Sequence, residues 1–163
     1  MITVGILTMS DKGSRGERED LSGKEIERIL KGHSAEVRAY EIIPDEAEII
    51  KSKLIEFVDK KKLDLVLTTG GTGVSPRDVT PEATREVVEK ELPGMSEAMR
   101  AESLKKTPNA MISRAICGIR KQSLIINLPG SPRAVRENLA VVLPAIHHAV
   151  EKIKGSQEEC GTA

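Results

Sequence analysis

The fold is decided by residues 64–84, which read DLVLTTGGTGVSPRDVTPEAT. The apolar run from Leu63 to Thr69 predicts a strand that is buried on both faces. A glycine turn follows, made of Gly70, Gly71, Thr72 and Gly73. Beyond the turn, a helix is predicted to have Thr80 as its N-cap and Pro81 in its first position. The stretch therefore predicts a strand, a glycine loop and a helix in succession.

The glycine turn is suited to binding an anion. Small residues let a ligand approach the backbone N–H groups closely, and phosphate is the usual anion bound in this way. Asp78 lies in the same loop, and a carboxylate beside a phosphate needs a cation between them. We therefore hypothesise a Mg²⁺–phosphate site. The alternative is an ordinary strand-to-helix turn in which glycine serves geometry alone.

Strands alternate with helices on both sides of this stretch. Ile2–Met9 is continuously apolar, and Glu36–Ile43 alternates between apolar and polar residues, so both are predicted strands. Ile116–Arg120 and Ser123–Asn127 are two further strands around a short turn, so at least one of them runs antiparallel. The pattern predicts an α/β fold with a mostly parallel sheet and helices on both faces.

The helix ends carry their own signals. Ser22 and Glu25 have the spacing of a capping box for the helix that follows them. Pro81–Glu91 is predicted to be helical, and Ser131 is predicted to cap the last helix. We expect a single domain over residues 1–154, followed by a flexible C-terminal tail over residues 155–163.

Four polar clusters fall where predicted strands end. Ser10 and Asp11 follow the first strand, Asp45 the second, residues 70–80 the third, and Gly130 with Ser131 the last. Open α/β sheets bind ligands at the carboxyl ends of their strands, so we expect a shared crevice there. Asp45 and Asp78 are the carboxylates expected to hold Mg²⁺. Asp45 could instead be a plain N-cap after Pro44.

The bulk composition argues against several classes of function. The chain has 163 residues, with 25 basic and 25 acidic side chains and 1% aromatic residues. This balance argues against a nucleic-acid or membrane surface, and the lack of aromatic residues argues against base stacking. The apolar runs are too short to span a membrane, and we find no signal peptide. We expect a cytoplasmic protein.

Four motifs together resemble the molybdopterin adenylyltransferase family. They are the opening ILTMSDKGSRGEREDLSG, the glycine stretch TTGGTGVSPRDVTPEAT, and the later segments PGMSEAMR and SRAICGIRKQSLIINLPGSP. The similarity runs from Thr3 to about Lys152. It implies transfer of AMP from ATP to the terminal phosphate of molybdopterin, with release of pyrophosphate. It also implies a three-layer α/β/α fold with one antiparallel strand, a homotrimer, and a downstream enzyme that inserts molybdate or tungstate.

The resemblance also implies a set of site residues. Asp45 in IIPDEAE and Asp78 in PRDVTPEAT match the essential acidic residues of the family, as catalytic groups and Mg²⁺ ligands. The residues implied to bind ATP and molybdopterin are Ser10, Asp11, Gly70, Gly71, Thr72, Gly73, Thr80, Pro129, Gly130 and Ser131.

Two alternatives have the same fold. The first is a carrier or scaffold that binds molybdopterin without catalysis, although this chain keeps both acidic residues of the family pattern. The second is another phosphate-transfer or pyrophosphatase activity. Its related domains carry paired acids after the glycines, whereas VSPRDVTPEAT stands in that place here.

Overall fold

The computed structural model of the chain describes residues 1–157. Its strands are β1 (Ile2–Met9), β2 (Ala35–Ile43), β3 (Leu65–Thr69), β4 (Lys90–Glu91), β5 (Cys117–Arg120) and β6 (Ser123–Leu128). Its α-helices are α1 (Asp11–Ser14), α2 (Leu21–Leu30), α3 (Ala47–Ile55), α4 (Thr80–Val87), α5 (Pro93–Leu104) and α6 (Pro132–Ile153). A π-helical turn extends α3 over Glu56–Lys60, and a 3₁₀ helix spans Pro108–Ile112. Residues 158–163 of the predicted tail lie outside the described residues.

One mixed sheet of six strands organises the molecule, in the order β2-β1-β3-β6-β5-β4. Strands β2, β1, β3 and β6 pair in parallel, whereas β5 is antiparallel to both β6 and β4. The structure thus confirms the predicted α/β/α fold and its one antiparallel strand. The parallel strands end at the same edge of the sheet, so their following loops are neighbours there.

Two apolar layers pack the helices onto the sheet. On one face, side chains such as Ile6, Leu67 and Leu124 contact the apolar sides of α2, α5 and α6. On the other face, Val66 and Ile125 contact α3 and α4. Adjacent residues such as Leu124 and Ile125 enter opposite layers because successive side chains of a strand point to opposite faces. The sheet is therefore covered on both sides.

A buried amide fastens β6 to its neighbours. The Asn127 Nδ2 group donates to Thr68 Oγ1 on β3 at 2.9 Å and to Thr84 Oγ1 on α4 at 3.0 Å. The Asn127 Oδ1 atom accepts from the Ile116 N–H at 3.2 Å. In residues 1–157, every fully buried side-chain nitrogen and oxygen has a hydrogen-bond partner.

The prediction of a helix over Pro81–Glu91 was wrong at its end. The helix stops at Val87, and Val88 is extended. Glu89 N–H then donates to Ile119 O, and Leu92 N–H donates to Cys117 O, each at 2.8 Å. Pairing with the edge of β5 thus replaces the last helical turn. Local helix propensity could not reveal this, because the partner strand lies about 30 residues further along the chain.

No helix within residues 1–157 combines the length and the apolar character that crossing a bilayer requires.

Candidate functional site

The loops after β1, β2, β3 and β6 meet in a crevice of about 540 Å³. Seven of the predicted site residues line it: Ser10, Asp45, Gly70, Gly71, Asp78, Gly130 and Ser131. They come from segments far apart in the sequence, and the parallel sheet brings them together. The expected shared crevice at the carboxyl edge therefore exists.

The other predicted site residues are not among those that line the crevice: Asp11, Thr72, Gly73, Thr80 and Pro129. Thr72 and Thr80 are buried. The Pro129 carbonyl accepts a hydrogen bond of 2.6 Å from Thr69 Oγ1, which joins the last loop to β3.

Two glycines of the turn are required by its geometry. Gly70 has φ of 93° and Gly71 has φ of 66°, in the left-handed region that side chains disfavour. A Cβ atom on Gly70 would lie 2.5 Å from the Met9 carbonyl oxygen. A Cβ atom on Gly71 would overlap Thr80 Oγ1 and lie 3.2 Å from Asp45 Oδ1. The bare backbone at this turn therefore packs against β1 and Asp45.

Thr80 has a different role from the one predicted. It is the first residue of α4, and the N-cap position belongs to Val79, whose side chain makes no cap hydrogen bond. The Thr80 hydroxyl instead donates to the Gly70 carbonyl at 3.0 Å, and its N–H donates to the Gly71 carbonyl at 3.1 Å. The prediction of Thr80 as N-cap was wrong because the helix begins one residue earlier, and both the hydroxyl and the N–H of Thr80 donate to the glycine turn. Pro81 does occupy the first turn.

Two hydrogen bonds join Asp45 and Asp11, and in each the backbone N–H of one residue donates to the carboxylate of the other. Asp11 N–H donates to Asp45 Oδ2 at 2.9 Å, and Asp45 N–H donates to Asp11 Oδ1 at 3.0 Å. Arg77 reaches from the glycine loop and donates to both oxygens of Asp11, each at 3.0 Å. The alternative interpretation of Asp45 as a helix cap is wrong, since Glu46 takes that position.

The carboxyl groups of Asp11 and Asp45 differ in their electrostatic surroundings. The Arg77 guanidinium and the Asp45 N–H hold the pKa of Asp11 below its usual value. Burial raises the pKa of Asp45, and the charges of Asp11 and Asp78 raise it further. Asp45 is thus a half-buried carboxylate that is repelled by two others. Such a group favours a nearby cation.

We expect Asp45→Asn to stabilise the metal-free protein increasingly as the pH rises. Because folding raises the pKa of Asp45, its contribution to stability is fully present below the unfolded pKa. That contribution is lost as the pH rises through the folded pKa, whereas asparagine does not titrate. Urea unfolding between about pH 4 and pH 7 measures the difference.

Asp59→Asn is the control, because its effect on stability should change with pH in the opposite direction. Arg120 and Lys121 lower the pKa of Asp59, so its ionised form stabilises the fold above the unfolded pKa. The Asp59→Asn variant should therefore become less stable than the wild type as the pH rises. A stability difference for Asp45→Asn that does not change with pH would contradict the expectation.

Asp78 faces the crevice from a compact turn. Its Oδ2 atom accepts from the Ser75 N–H at 3.0 Å, and its own N–H donates to the Ser75 carbonyl at 2.9 Å. The side chain lies against Gly73, where a Cβ atom would come within 2.9 Å of Oδ2. The turn thus fixes the direction of the carboxylate relative to the rest of the loop.

Two carboxylates in the crevice are candidate ligands for Mg²⁺. Asp45 and Asp78 line the same crevice, and the charge of Asp78 acts on Asp45. In residues 1–157, no group of three His, Cys, Asp or Glu side chains is placed to hold a metal ion. Mg²⁺ commonly uses one or two carboxylates and takes its other ligands from water and substrate phosphates. The two carboxylates therefore fit Mg²⁺ together with a phosphate substrate.

Sequence reasoning missed one wall of the crevice, which is formed by Thr8, Met9, Gly13, Arg18, Glu19, Asp20, Leu21, Ser22 and Pro132. Asp20 organises this wall. Its carboxylate accepts from Thr8 Oγ1 at 2.6 Å and from Tyr40 OH at 2.5 Å. The Gly23 N–H also donates to it, at 2.9 Å.

The predicted capping box with Ser22 as N-cap was wrong. The N-cap of α2 is Asp20, and Ser22 lies inside the helix with its hydroxyl donating to Asp20 Oδ1 at 3.1 Å. An aspartate two residues ahead of the serine was a usable signal, because Asp caps helices as well as Ser does. Its contact with Tyr40 had no local signal.

The chain resembles known proteins over nearly its whole length. A family model described as a probable molybdopterin binding domain matches residues 5–148. The molybdopterin adenylyltransferase of Helicobacter pylori strain J99 is 49% identical over 157 residues, which cover 95% of this chain and 89% of that protein. Gephyrin of Dictyostelium discoideum is 48% identical over 157 residues, which cover 90% of this chain and 22% of gephyrin.

A solved structure matches the fold as well. It is that of the molybdopterin biosynthesis enzyme MoaB from Thermus thermophilus. The two chains are 52% identical and superpose with a TM-score of 0.91, over 96% of this chain and 98% of the other. The family match extends from before Ser10 to beyond Ser131, so it includes every loop that lines the crevice.

Proposed function

Because the chain belongs to the molybdopterin-binding domain family, we propose that it is a molybdopterin adenylyltransferase. It attaches AMP from ATP to the terminal phosphate of molybdopterin and releases pyrophosphate. The observation that carries this function is the crevice itself, in which two glycine turns and two carboxylates meet at the carboxyl edge of the sheet. Glycine turns suit phosphates, and paired carboxylates suit the divalent cation that accompanies them.

The reaction is an exchange of phosphoanhydride partners. An oxygen of the pterin phosphate attacks the α-phosphorus of ATP and forms a new P–O bond. The bond from the α-phosphorus to the oxygen that bridges it to the β-phosphorus breaks, and its electron pair leaves with pyrophosphate. The attacking phosphate is already anionic at neutral pH, so no strong general base is required. The chain must chiefly align the two substrates and balance their charge.

We assign Asp45 and Asp78 as the residues that hold Mg²⁺, which would neutralise charge on the phosphate oxygens of ATP. The hydrogen bonds between Asp11 and Asp45 keep Asp45 on the wall, and the Ser75 N–H holds the Asp78 carboxylate within its turn. Binding a cation would also relieve the repulsion that raises the pKa of Asp45. The Asp45 charge that is unfavourable for folding without a metal would then be favourable for binding the cation.

The turns after β3 and β6 are proposed to bind the phosphates. A Cβ atom on Gly130 would lie 3.3 Å from Gly70 Cα, so the two turns pack closely together. Ser131 accepts from the Ala134 N–H at 3.1 Å and caps α6. The positive end of this long helix dipole favours a phosphate beside Gly130 and Ser131. Gly71, Thr72 and Gly73 are proposed to contribute N–H groups from the other turn.

Assembly and location are further proposals. By family resemblance, we propose a cytoplasmic homotrimer whose product passes to a metal insertase. Three apolar side chains are exposed close to one another in the sequence: Leu104 by 43%, Met111 by 69% and Ile112 by 52%. Helix α5, which carries Leu104, contacts the 3₁₀ helix that carries Met111 and Ile112, and we propose this region as the contact with another copy of the chain. Sedimentation analysis of the purified protein tests the trimer.

The function is tested by measuring pyrophosphate release from ATP and Mg²⁺, with and without molybdopterin. We expect release only when molybdopterin is present. Release without molybdopterin would indicate a pyrophosphatase-like activity instead. Tight molybdopterin binding with no release would contradict adenylyl transfer and favour the carrier.

A further inference from the structure

We propose that Arg114 is a positioning residue that fixes the loop over residues 72–78 and thereby the direction of the Asp78 carboxylate. The inference rests on the proposed function, since it concerns the same site. Arg114 lies between the 3₁₀ helix and β5, and its side chain is 36% exposed. It is not among the residues that line the crevice. Its effect on the reaction is therefore exerted through the loop.

Arg114 binds the backbone at both ends of the loop. Its N–H donates to the Thr72 carbonyl at 2.8 Å, and its Nε–H donates to the Gly73 carbonyl at 2.6 Å. Its Nη2 group donates to the Asp78 carbonyl at 2.7 Å. The remaining Nη1 group pairs with Glu82 on α4. One residue thus ties the start of the loop, its end and the following helix together.

The rest of the loop has weaker attachments to the fold. Residues 74–77 are exposed, so packing does not hold them. The two hydrogen bonds between Ser75 and Asp78 lie within the loop and do not orient it against the sheet. Arg77 does reach Asp11 and Glu46, but its side chain is 53% exposed, so solvent and salt weaken these pairs.

The choice of arginine follows from this geometry. The guanidinium group is planar and presents its donors in a fixed fork, so it can bind two carbonyl oxygens and a carboxylate at once. Lysine has one ammonium group on a flexible stem and cannot reproduce that spacing. Arg114 binds the backbone carbonyl of Asp78 and leaves its carboxylate for the crevice. That division distinguishes a positioning residue from a catalytic one.

The test compares Arg114→Lys with Arg120→Lys. Arg120 is a matched control because it also joins a carbonyl, that of Val87, to a carboxylate, that of Asp59. It pairs with Ser123 at the start of β6, so it lies at the edge of the sheet opposite the crevice. Steady-state assays of pyrophosphate release give kcat and the Mg²⁺ concentration for half-maximal rate. Amide hydrogen exchange of residues 72–78 reports the order of the loop without any assay of activity.

For Arg114→Lys we expect kcat to fall by about 10²-fold, as for a reacting group displaced by about 1 Å. The half-saturating Mg²⁺ concentration should rise by about 10-fold, the loss typical when a supporting partner of a metal ligand is removed. Exchange of residues 72–78 should be faster than in the wild type. Arg120→Lys should lower thermal stability while leaving these three values unchanged.

Equal values of kcat, Mg²⁺ dependence and loop exchange in the two variants would overturn the proposal. Arg114→Gln, which keeps one amide donor for the two carbonyls, gives the same comparison if the lysine variant does not fold. Absence of molybdopterin-dependent release in the wild type would instead refute the proposed function. In that case the exchange comparison still decides whether Arg114 orders the loop.

Discussion

Asp78→Asn is expected to lower molybdopterin-dependent pyrophosphate release by about 10²- to 10³-fold, the loss typical when one preorganised electrostatic group is removed. Asparagine has the same shape as aspartate, and its carbonyl oxygen can still accept from the Ser75 N–H, so the turn should persist. The negative charge that acts on Asp45 is lost. The measurement is kcat/KM for molybdopterin over a titration of Mg²⁺.

The Mg²⁺ titration separates the two contributions of Asp78. If its charge holds the cation, the variant should need more Mg²⁺ to reach its reduced maximal rate. Asp59→Asn is the control, because it neutralises an aspartate that lies on the π-helical turn, paired with Arg120 and Lys121 and away from the crevice. It should retain the wild-type rate. A normal rate and a normal Mg²⁺ dependence in Asp78→Asn would show that Asp78 is not a ligand of the ion.

Gly70→Ala is expected to lower the free energy of unfolding by about 2–5 kcal/mol and to abolish binding in the crevice. The left-handed conformation accounts for part of this loss, since Gly70 has φ of 93°. The remainder comes from a Cβ atom placed 2.5 Å from the Met9 carbonyl oxygen. That oxygen belongs to a central strand, so the overlap cannot be relieved by turning a side chain. Urea unfolding measures the change.

Gly155→Ala separates these two costs. Gly155 has φ of 91°, close to that of Gly70, but nothing lies within 4 Å of its Cβ position. This variant should lose only the conformational part, about 1–2 kcal/mol. The difference between the variants then measures the overlap with β1. If Gly70→Ala lost no more stability than Gly155→Ala, the close approach to Met9 would not matter.

Short-range patterns explain why the fold could be predicted. A strand buried on both faces requires a continuous apolar run, and β1 and β3 both have one. Ser131 and Pro132 begin α6 as predicted, because capping involves residues only three positions apart. The end of α4 was predicted wrongly, since pairing with β5 decides it.

The candidate site was predicted as a set of loops but not as a set of contacts. The carboxyl ends of parallel strands share one edge, so Ser10, Asp45, Asp78 and Ser131 could be placed together in advance. The wall around Asp20 could not be predicted, because the Asp20 carboxylate is held by the hydroxyl of Tyr40, which lies on β2. The hydrogen bonds of Arg114 to the loop could not be predicted either, since Arg114 and Asp78 are 36 residues apart.

The sequence by itself determined the succession of strands and helices along the chain, the edge at which the polar loops gather, and the family resemblance. Each of these depends on residue type and short spacing, which can be read directly from the chain. Only the tertiary structure decided that Thr80 supports the glycine turn, that Asp11 holds Asp45, and that Arg114 holds the loop of Asp78. These contacts depend on the direction of each side chain after the sheet has formed. Residues that are 34 or 36 positions apart acquire that relation only when the strands pair.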